Sequence, residues 1–326
     1  MALTVGRQAF RLIHVTSLKH SAPFGAFVTR WLFGPAMCAI LGMLIWALGY
    51  VVVRELRFDV PPVWLSFWRN TTALVVYVAI AYPRLKRNLP EIIRGWRPLA
   101  WGSLLLIVFG NVPMTISLTK TTLVNVSIIS AVEPMMIIVF AVLLYHMRIS
   151  VRQWIGVALS LVGMLLLIAR ADIDVLLNVE FNGGDLWALT AVLCWSLYVA
   201  GLRTMPLSDR PFLQTAAVTF FGEVLMLPWF VWDSTTRPAF EVTWDAVLAA
   251  LYLGVIASVI ALWLWVRALT LLGPARGGPF AHLLPVFGIL LGIAFLGETL
   301  FSYHIVGIAL IALGIYLTSL VRAKAR

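Results

Sequence analysis

The sequence predicts an all-α polytopic membrane protein: ten transmembrane helices built as two inverted five-helix repeats, with both termini on the cytoplasmic side. Three observations predict it. Apolar residues fill 62% of the 326 positions and charged residues only 12%, and the apolar residues run in long stretches. Basic residues divide unevenly between the two sets of connections. The second half of the chain also repeats features of the first at near-constant spacing.

Composition sets the class. A soluble domain is about 45–50% apolar and about 25% charged, whereas this chain has a mean hydropathy of +0.97. That excludes a soluble enzyme and a disordered chain. A membrane β-barrel would alternate apolar and polar residues. Helices remain, because in lipid every backbone polar group must be satisfied within the segment. Cys38 and Cys194 both lie in apolar runs with no third cysteine, which argues against a disulfide framework or a zinc site.

A bilayer core takes about 20 apolar residues per helix. Windows of that size fall at 33–53, 61–82, 98–118, 121–144, 153–170, 183–202, 211–232, 245–268, 277–297 and 303–321. Only Lys120 and a few threonines separate the third from the fourth. The eighth is long enough to tilt. The units are therefore a basic N-terminal tail (1–32), a first repeat (33–170), a second repeat (183–321) and a basic C-terminal tail (322–326). The N-terminal tail carries Arg7, Arg11, Lys19 and Arg30 and no acid. It reads as a surface-lying tail, a targeting segment, or sequence upstream of the true start.

Charge sets the orientation. With the N-terminus inside, eighteen of the 24 basic residues fall on the cytoplasmic side, among them Arg84, Lys86, Arg87, Arg94 and Arg97, and five outside. Lys and Arg collect in cytoplasmic loops, so the net charge of +10 needs no nucleic acid partner. The remaining one, Arg69, lies inside a span.

The repeat comes next. At an offset of 151, Pro134 aligns with Pro285, Gly156 with Gly307 and Gly163 with Gly314, without a gap. Near the start an offset of 149 pairs Trp46 with Trp195 and Arg54 with Arg203. Five spans per repeat is an odd number, so the two copies lie upside down relative to each other. Arg148 and Arg152, inside, have uncharged counterparts Thr299 and Tyr303, outside, as the orientation rule requires. Two similar halves of opposite orientation can exchange conformations and open a central site to alternate sides.

On these residues the sequence resembles the EamA family of the drug/metabolite transporter superfamily. The resemblance covers about 33–321. It rests on the five-plus-five plan, Trp46, the stretch Phe67–Arg69, Ser130–Pro134, Trp154–Gly163, Leu283–Glu298 and Val306–Leu317. It implies a central cavity lined by spans one to four and six to nine, spans five and ten at the periphery, and a small metabolite as cargo, often exported. One departure stands out: the family often closes the fourth span with a Gly-Glu pair like Gly297-Glu298, and here His146-Met147 takes that place.

Ionisable residues deep in a span cost about 2.5–3.5 kcal/mol each on insertion scales and are functional candidates. Four qualify: Arg69, Glu133, Glu223 and His282. Glu133 precedes Pro134, which removes a backbone donor and frees carbonyls one turn back. The carboxylate could bind a cation, a substrate ammonium or a proton, or pair with Arg69 to join two helices. Pro285 repeats the kink, with His282 three residues before it on the same face. That histidine either titrates near neutral pH or hydrogen-bonds within helix packing. Asn111 and Pro113 interrupt span three, and Trp46, Trp195 and Tyr198 can line a cavity for apolar or aromatic cargo. Trp263 and Trp265 are secondary candidates. The substrate-binding set is thus Glu133, His282, Asn111, Trp46, Trp195, Tyr198, Glu223 and Arg69, with Pro134, Pro285 and Pro113 as hinges. The Gly288/Gly292 pair offers a site of close helix packing.

A secondary transporter for an amino acid or related solute, working as an exporter in the cytoplasmic membrane as a monomer or homodimer, fits these features. No GxxxxGK[ST] loop is present, so the driving force is a solute gradient or protons. No cofactor and no metal are expected. The competing readings are an uptake carrier, a membrane enzyme acting on lipids and a non-transporting assembly subunit. The enzyme reading lacks the clustered acids or histidines that such chemistry uses.

Overall fold

The computed structural model describes residues 34–296 and 299–319; both predicted tails and the Gly297-Glu298 pair lie outside the described residues. Helices carry the whole architecture, with no strand among the described residues. Eight helices are long and apolar enough to cross a membrane: α1 (Pro35–Glu55), α2 (Pro62–Arg94), α3 (Trp96–Lys120), α4 (Leu123–Tyr145), α5 (Val151–Ala169), α6 (Gly183–Thr204), α7 (Pro211–Thr236) and α8 (Trp244–Leu272). Two further apolar helices follow, α9 (Leu283–Leu296) and α10 (Ser302–Ser319).

Local chemistry explains where they start. Pro35, Pro62 and Pro211 open α1, α2 and α7, positions whose N–H would be unpaired anyway. Thr122 accepts from the Asn125 backbone N–H and starts α4 only two residues after α3 ends, so the narrow break expected near Lys120 is a true helix boundary. Capping boxes at Ser150/Gln153 and Asn182/Asp185 start α5 and α6.

Several helices depart from the expected bounds. α2 continues through Pro83 and Pro90 to Arg94, well past residue 82, and carries the basic residues Arg84, Lys86 and Arg87 as helix. α3 and α8 each contain a π-helical stretch, Leu104–Asn111 and Leu253–Ala261. α4 is broken at Val132, so Glu133 and Pro134 open its second segment, Glu133–Tyr145. Pro134 therefore begins a helix instead of kinking one. The ninth span does not start as α-helix: a short turn at Pro274–Gly277 and a 3-10 segment, Gly278–His282, lead into α9.

The packing pairs the two halves of the chain. α1 of the first half lies against α8 and α9, and α6 of the second lies against α3 and α4. α2 packs on α7, and α5 packs extensively on α10. In that last contact a Cβ on Gly156 would sit 2.7 Å from the Gly314 carbonyl oxygen, and one on Gly163 2.7 Å from that of Gly307. Only glycines allow the two backbones this close. Gly288 behaves differently from the expectation: a Cβ there would meet nothing within 4 Å, because it faces open space and not a neighbouring helix.

α4 ends on His146, held in the left-handed conformation at φ 50°. Glycine normally takes this C-terminal position, so the histidine is a strained occupant.

Candidate functional site

The bundle encloses a cavity of about 370 Å³. Its floor lies at Met43, Leu262 and Ala281, and its lining is exposed at Val51, Glu55 and Leu123. Beyond the floor the interior is filled: Cys38, Ala39, Leu202, Leu269 and Phe280 belong to one buried cluster. The cavity thus opens toward the end of the bundle where α1 ends and α4 begins. At the opposite end Arg210 donates to both Glu91 oxygens, at 2.9 and 2.7 Å, and to Asn88, which ties α2 to the α6–α7 connection. These bonds to Glu91 hold the Arg210 guanidinium above its ordinary pKa.

Five predicted binding residues line the cavity: Trp46, Arg69, Asn111, Glu133 and Trp195. Their elements explain the convergence. Arg69 projects from α2. Glu133 stands in the first turn of a helix segment that begins inside the bundle, where the helix dipole favours negative charge. The sequence reading had placed that carboxylate beside freed carbonyls; the break at Val132 puts it beside helical N–H groups instead. Asn111 ends the π-helical stretch of α3. Trp46 and Trp195 come from α1 and α6 and meet in the middle.

The two charges are not spent on each other. No ion pair joins Arg69 to Glu133 among the described residues. Arg69 Nε is buried without a hydrogen-bond partner, as are the hydroxyls of Ser130 and Ser258, two further lining residues. Buried polar atoms are rarely left unpaired, so these three give the cavity wall hydrogen-bonding capacity to spare.

The cavity does not reach the other three candidates. His282 is buried, with Nε2 3.0 Å from the Ala131 carbonyl oxygen. Tyr198 is buried with its hydroxyl unpartnered. Glu223 faces α2 and is bonded by Thr71. Of the hinge prolines, Pro285 lines the cavity, while Pro113 and Pro134 are buried in the opening turns of helix segments. Trp265 is buried against Trp46 with ring centroids 5.8 Å apart, and Trp263 leans on Phe212; neither lines the cavity.

Sequence reasoning missed Tyr50, Ser127, Ser130 and Ser258, all in the lining. Tyr50 was within reach: it follows Trp46 by four residues, hence lies on the same helix face. The serines carried no signal, because a lone hydroxyl in a span most often bonds its own helix.

Comparison with known proteins bears on this arrangement. Residues 34–169 and 182–320 each match the profile of the EamA-like transporter family. A probable amino-acid metabolite efflux pump of Salmonella typhimurium is 23% identical over 295 residues, covering 86% of this chain and 92% of that protein. The uncharacterized inner membrane transporter YedA of Escherichia coli is 24% identical, covering 85% and 88%. One solved crystal structure superposes with a TM-score of 0.71 at 19% identity, covering 88% of this chain and 96% of that one, a likeness of fold alone.

Proposed function

The chain belongs to the EamA-like transporter family, and from that premise we propose that it is a secondary carrier of the cytoplasmic membrane that exports an amino acid or related metabolite by alternating access. The observation that carries the proposal is the cavity with an unpaired Arg69 and an unpaired Glu133 in its wall. A guanidinium suits a carboxylate. A carboxylate suits an ammonium. A zwitterion presents both, and its side chain would rest on Trp46 and Trp195. The name of the Salmonella relative supports an amino-acid-like cargo and the outward direction.

Alternating access needs two halves that can exchange roles. The contacts support a ten-helix inverted repeat with a pseudo-two-fold axis. Gly156 meets Gly314 while Gly163 meets Gly307, and these are two counterpart pairs in reciprocal contact, the signature of an isologous interface. Likewise α1 lies on α8 and α9 as α6 lies on α3 and α4. With the basic ends of α2 and the α6–α7 connection inside, the N-in, C-in orientation makes this the outward-open state, closed beneath by the Arg210–Glu91 pair.

The test is solute counterflow in proteoliposomes over a panel of amino acids and their metabolites. Accumulation of label for a subset of zwitterions, lost in Glu133→Gln and in Arg69→Gln, is the expected result. Counterflow that both variants leave intact would remove the site assignment, and none across the panel would remove the amino-acid reading.

A further inference from the structure

Glu223 sits outside the cavity, on the face where α7 of the second half meets α2 of the first. Its Oε1 is in hydrogen-bond contact with Thr71 Oγ1, and its Oε2 is buried with no partner. Asn70, beside Thr71, reaches the Met226 sulfur at 3.9 Å. These polar groups form a narrow seam between the halves. On either side of Glu223, Phe220, Val224 and Leu227 are exposed on the outer surface of α7, where the surroundings of a membrane protein are lipid.

Among the described residues no positive charge is paired with this carboxyl. Arg69, two residues before Thr71, lines the cavity. Tyr77 of α2 is committed to the Ser258 carbonyl. The π-helical stretch of α3 carries no ionisable residue, and Arg97 stands at the opposite end of that helix, near Trp96. Arg267 of α8 lies near Cys38 of α1. An ionised carboxylate with one buried, unpartnered oxygen and no counter-charge is costly. The threonine accommodates a protonated carboxyl. Its hydroxyl has a single proton and also lies 3.2 Å from the Phe67 carbonyl oxygen. With that proton given to Phe67, the Glu223 contact needs a proton on Oε1 that donates to Thr71 Oγ1.

We propose that Glu223 is a proton-binding site distinct from the solute cavity, which holds its proton in the outward-open state and releases it when the α2–α7 seam re-packs in the opposite state. The inference rests on the carrier reading above. In the exchange, the Glu223 carboxylate takes a proton from water on the outer side, forming the Oε1–H bond. That bond breaks to cytoplasmic water in the inward state, before solute is carried out. Because Thr71 and Glu223 belong to different halves, protonation acts directly on their relative position. One proton would move inward as one solute moves outward.

The experiment uses purified full-length protein in proteoliposomes with a zwitterion that shows counterflow. Wild type is expected to accumulate that solute on the side made acidic by an imposed pH difference. Glu223→Gln, which cannot ionise, is expected to exchange solute still but to lose the pH-driven accumulation, and Thr71→Val to shift the pH at which accumulation is half-maximal. Glu223→Gln accumulating as wild type does, or wild type counterflow indifferent to pH difference, overturns the proton site while leaving the carrier standing. Should Glu223→Gln fail to fold, wild type alone decides: adding the solute to weakly buffered protein in detergent releases protons if the inference holds, and releases none if it is wrong. A wild type without counterflow for any solute overturns the carrier reading itself.

Discussion

Trp46 and Trp195 meet edge to face, with ring centroids 5.3 Å apart and planes inclined at 80°. They align at the sequence offset of 149, and one comes from each of the two stretches that match the family profile. Each also touches the π-helical stretch of the other half. Trp46 Nε1 donates to the Ala257 carbonyl at 3.0 Å, and the Trp195 ring lies over Gly110. A π turn displaces carbonyls from the regular ladder, and such turns recur at functional sites; here an indole N–H takes one of them. Trp46→Phe keeps the ring and removes the donor, which should cost about 1 kcal/mol, read as a lowered melting temperature in detergent with solute counterflow retained. Trp46→Ala removes the aromatic contact too, worth about 0.5–1.5 kcal/mol beyond area burial, and should weaken solute affinity as well. Equal effects of the two variants on affinity would show that the ring does not meet the solute.

Arg69 and Glu133 make a sharper prediction, because each is expected to hold one end of a zwitterion. A hydrogen bond to a charged group is worth about 1.5–3 kcal/mol, so Arg69→Gln and Glu133→Gln should each raise the half-saturating solute concentration by roughly 10- to 100-fold. Arg69→Lys should rescue only in part, since a point charge cannot form the two parallel bonds of a guanidinium. An analogue lacking the carboxylate should be insensitive to Arg69→Gln while remaining sensitive to Glu133→Gln. Uniform sensitivity to both would mean that the two residues hold the helices and not the ends of the solute.

Much of this was legible in the sequence for physical reasons that differ by residue. Apolar run length places helices because the bilayer demands it, and Pro35, Pro62 and Pro211 mark helix starts through their missing N–H. The glycines at 156, 163, 307 and 314 were visible as a repeat because only glycine permits backbone contact at those points. What was hidden depends on direction around a helix axis. Glu223 and Glu133 look alike as acids at mid-span, but one faces another helix and the other faces the cavity. The π-helical stretches in α3 and α8 were hidden as well, since LLLIVFGN and LGVIASVIA read as ordinary apolar helix. His282 and Pro285 are expected on one face, yet only Pro285 lines the cavity; the bond of His282 to Ala131, 151 residues earlier, follows from the meeting of the two halves and not from local sequence.

The α5–α10 contact gives a prediction about stability apart from transport. A Cβ on Gly156 or Gly163 would press on backbone atoms of α10, which cannot rotate away as a side chain could. Gly156→Ala and Gly163→Ala should each destabilise by about 1–3 kcal/mol, as overpacking does. Gly288→Ala faces open space and should be close to neutral in stability, although it narrows the cavity. Thermal unfolding of the three variants in one detergent orders them, and a Gly288→Ala variant as unstable as the other two would contradict the packing described.

His146 offers the opposite sign. Its φ of 50° lies in the left-handed region, where a side chain costs roughly 1–2 kcal/mol and glycine costs nothing in strain. Met147 N–H still closes the helix end on the Ala141 carbonyl at 3.0 Å, so the conformation is fixed by the cap and would survive the substitution. His146→Gly therefore relieves strain in the folded protein but also loosens the unfolded chain, which takes back part of the gain. The net expectation is a stabilisation of about 0.5–1 kcal/mol, on the scale of glycine effects at such sites, seen as a higher melting temperature. His146→Ala keeps a Cβ in the same conformation and gains nothing from glycine's freedom, so it should not stabilise. If alanine stabilised as much as glycine, the effect would belong to removal of the imidazole and not to the backbone, and the strain argument would fail.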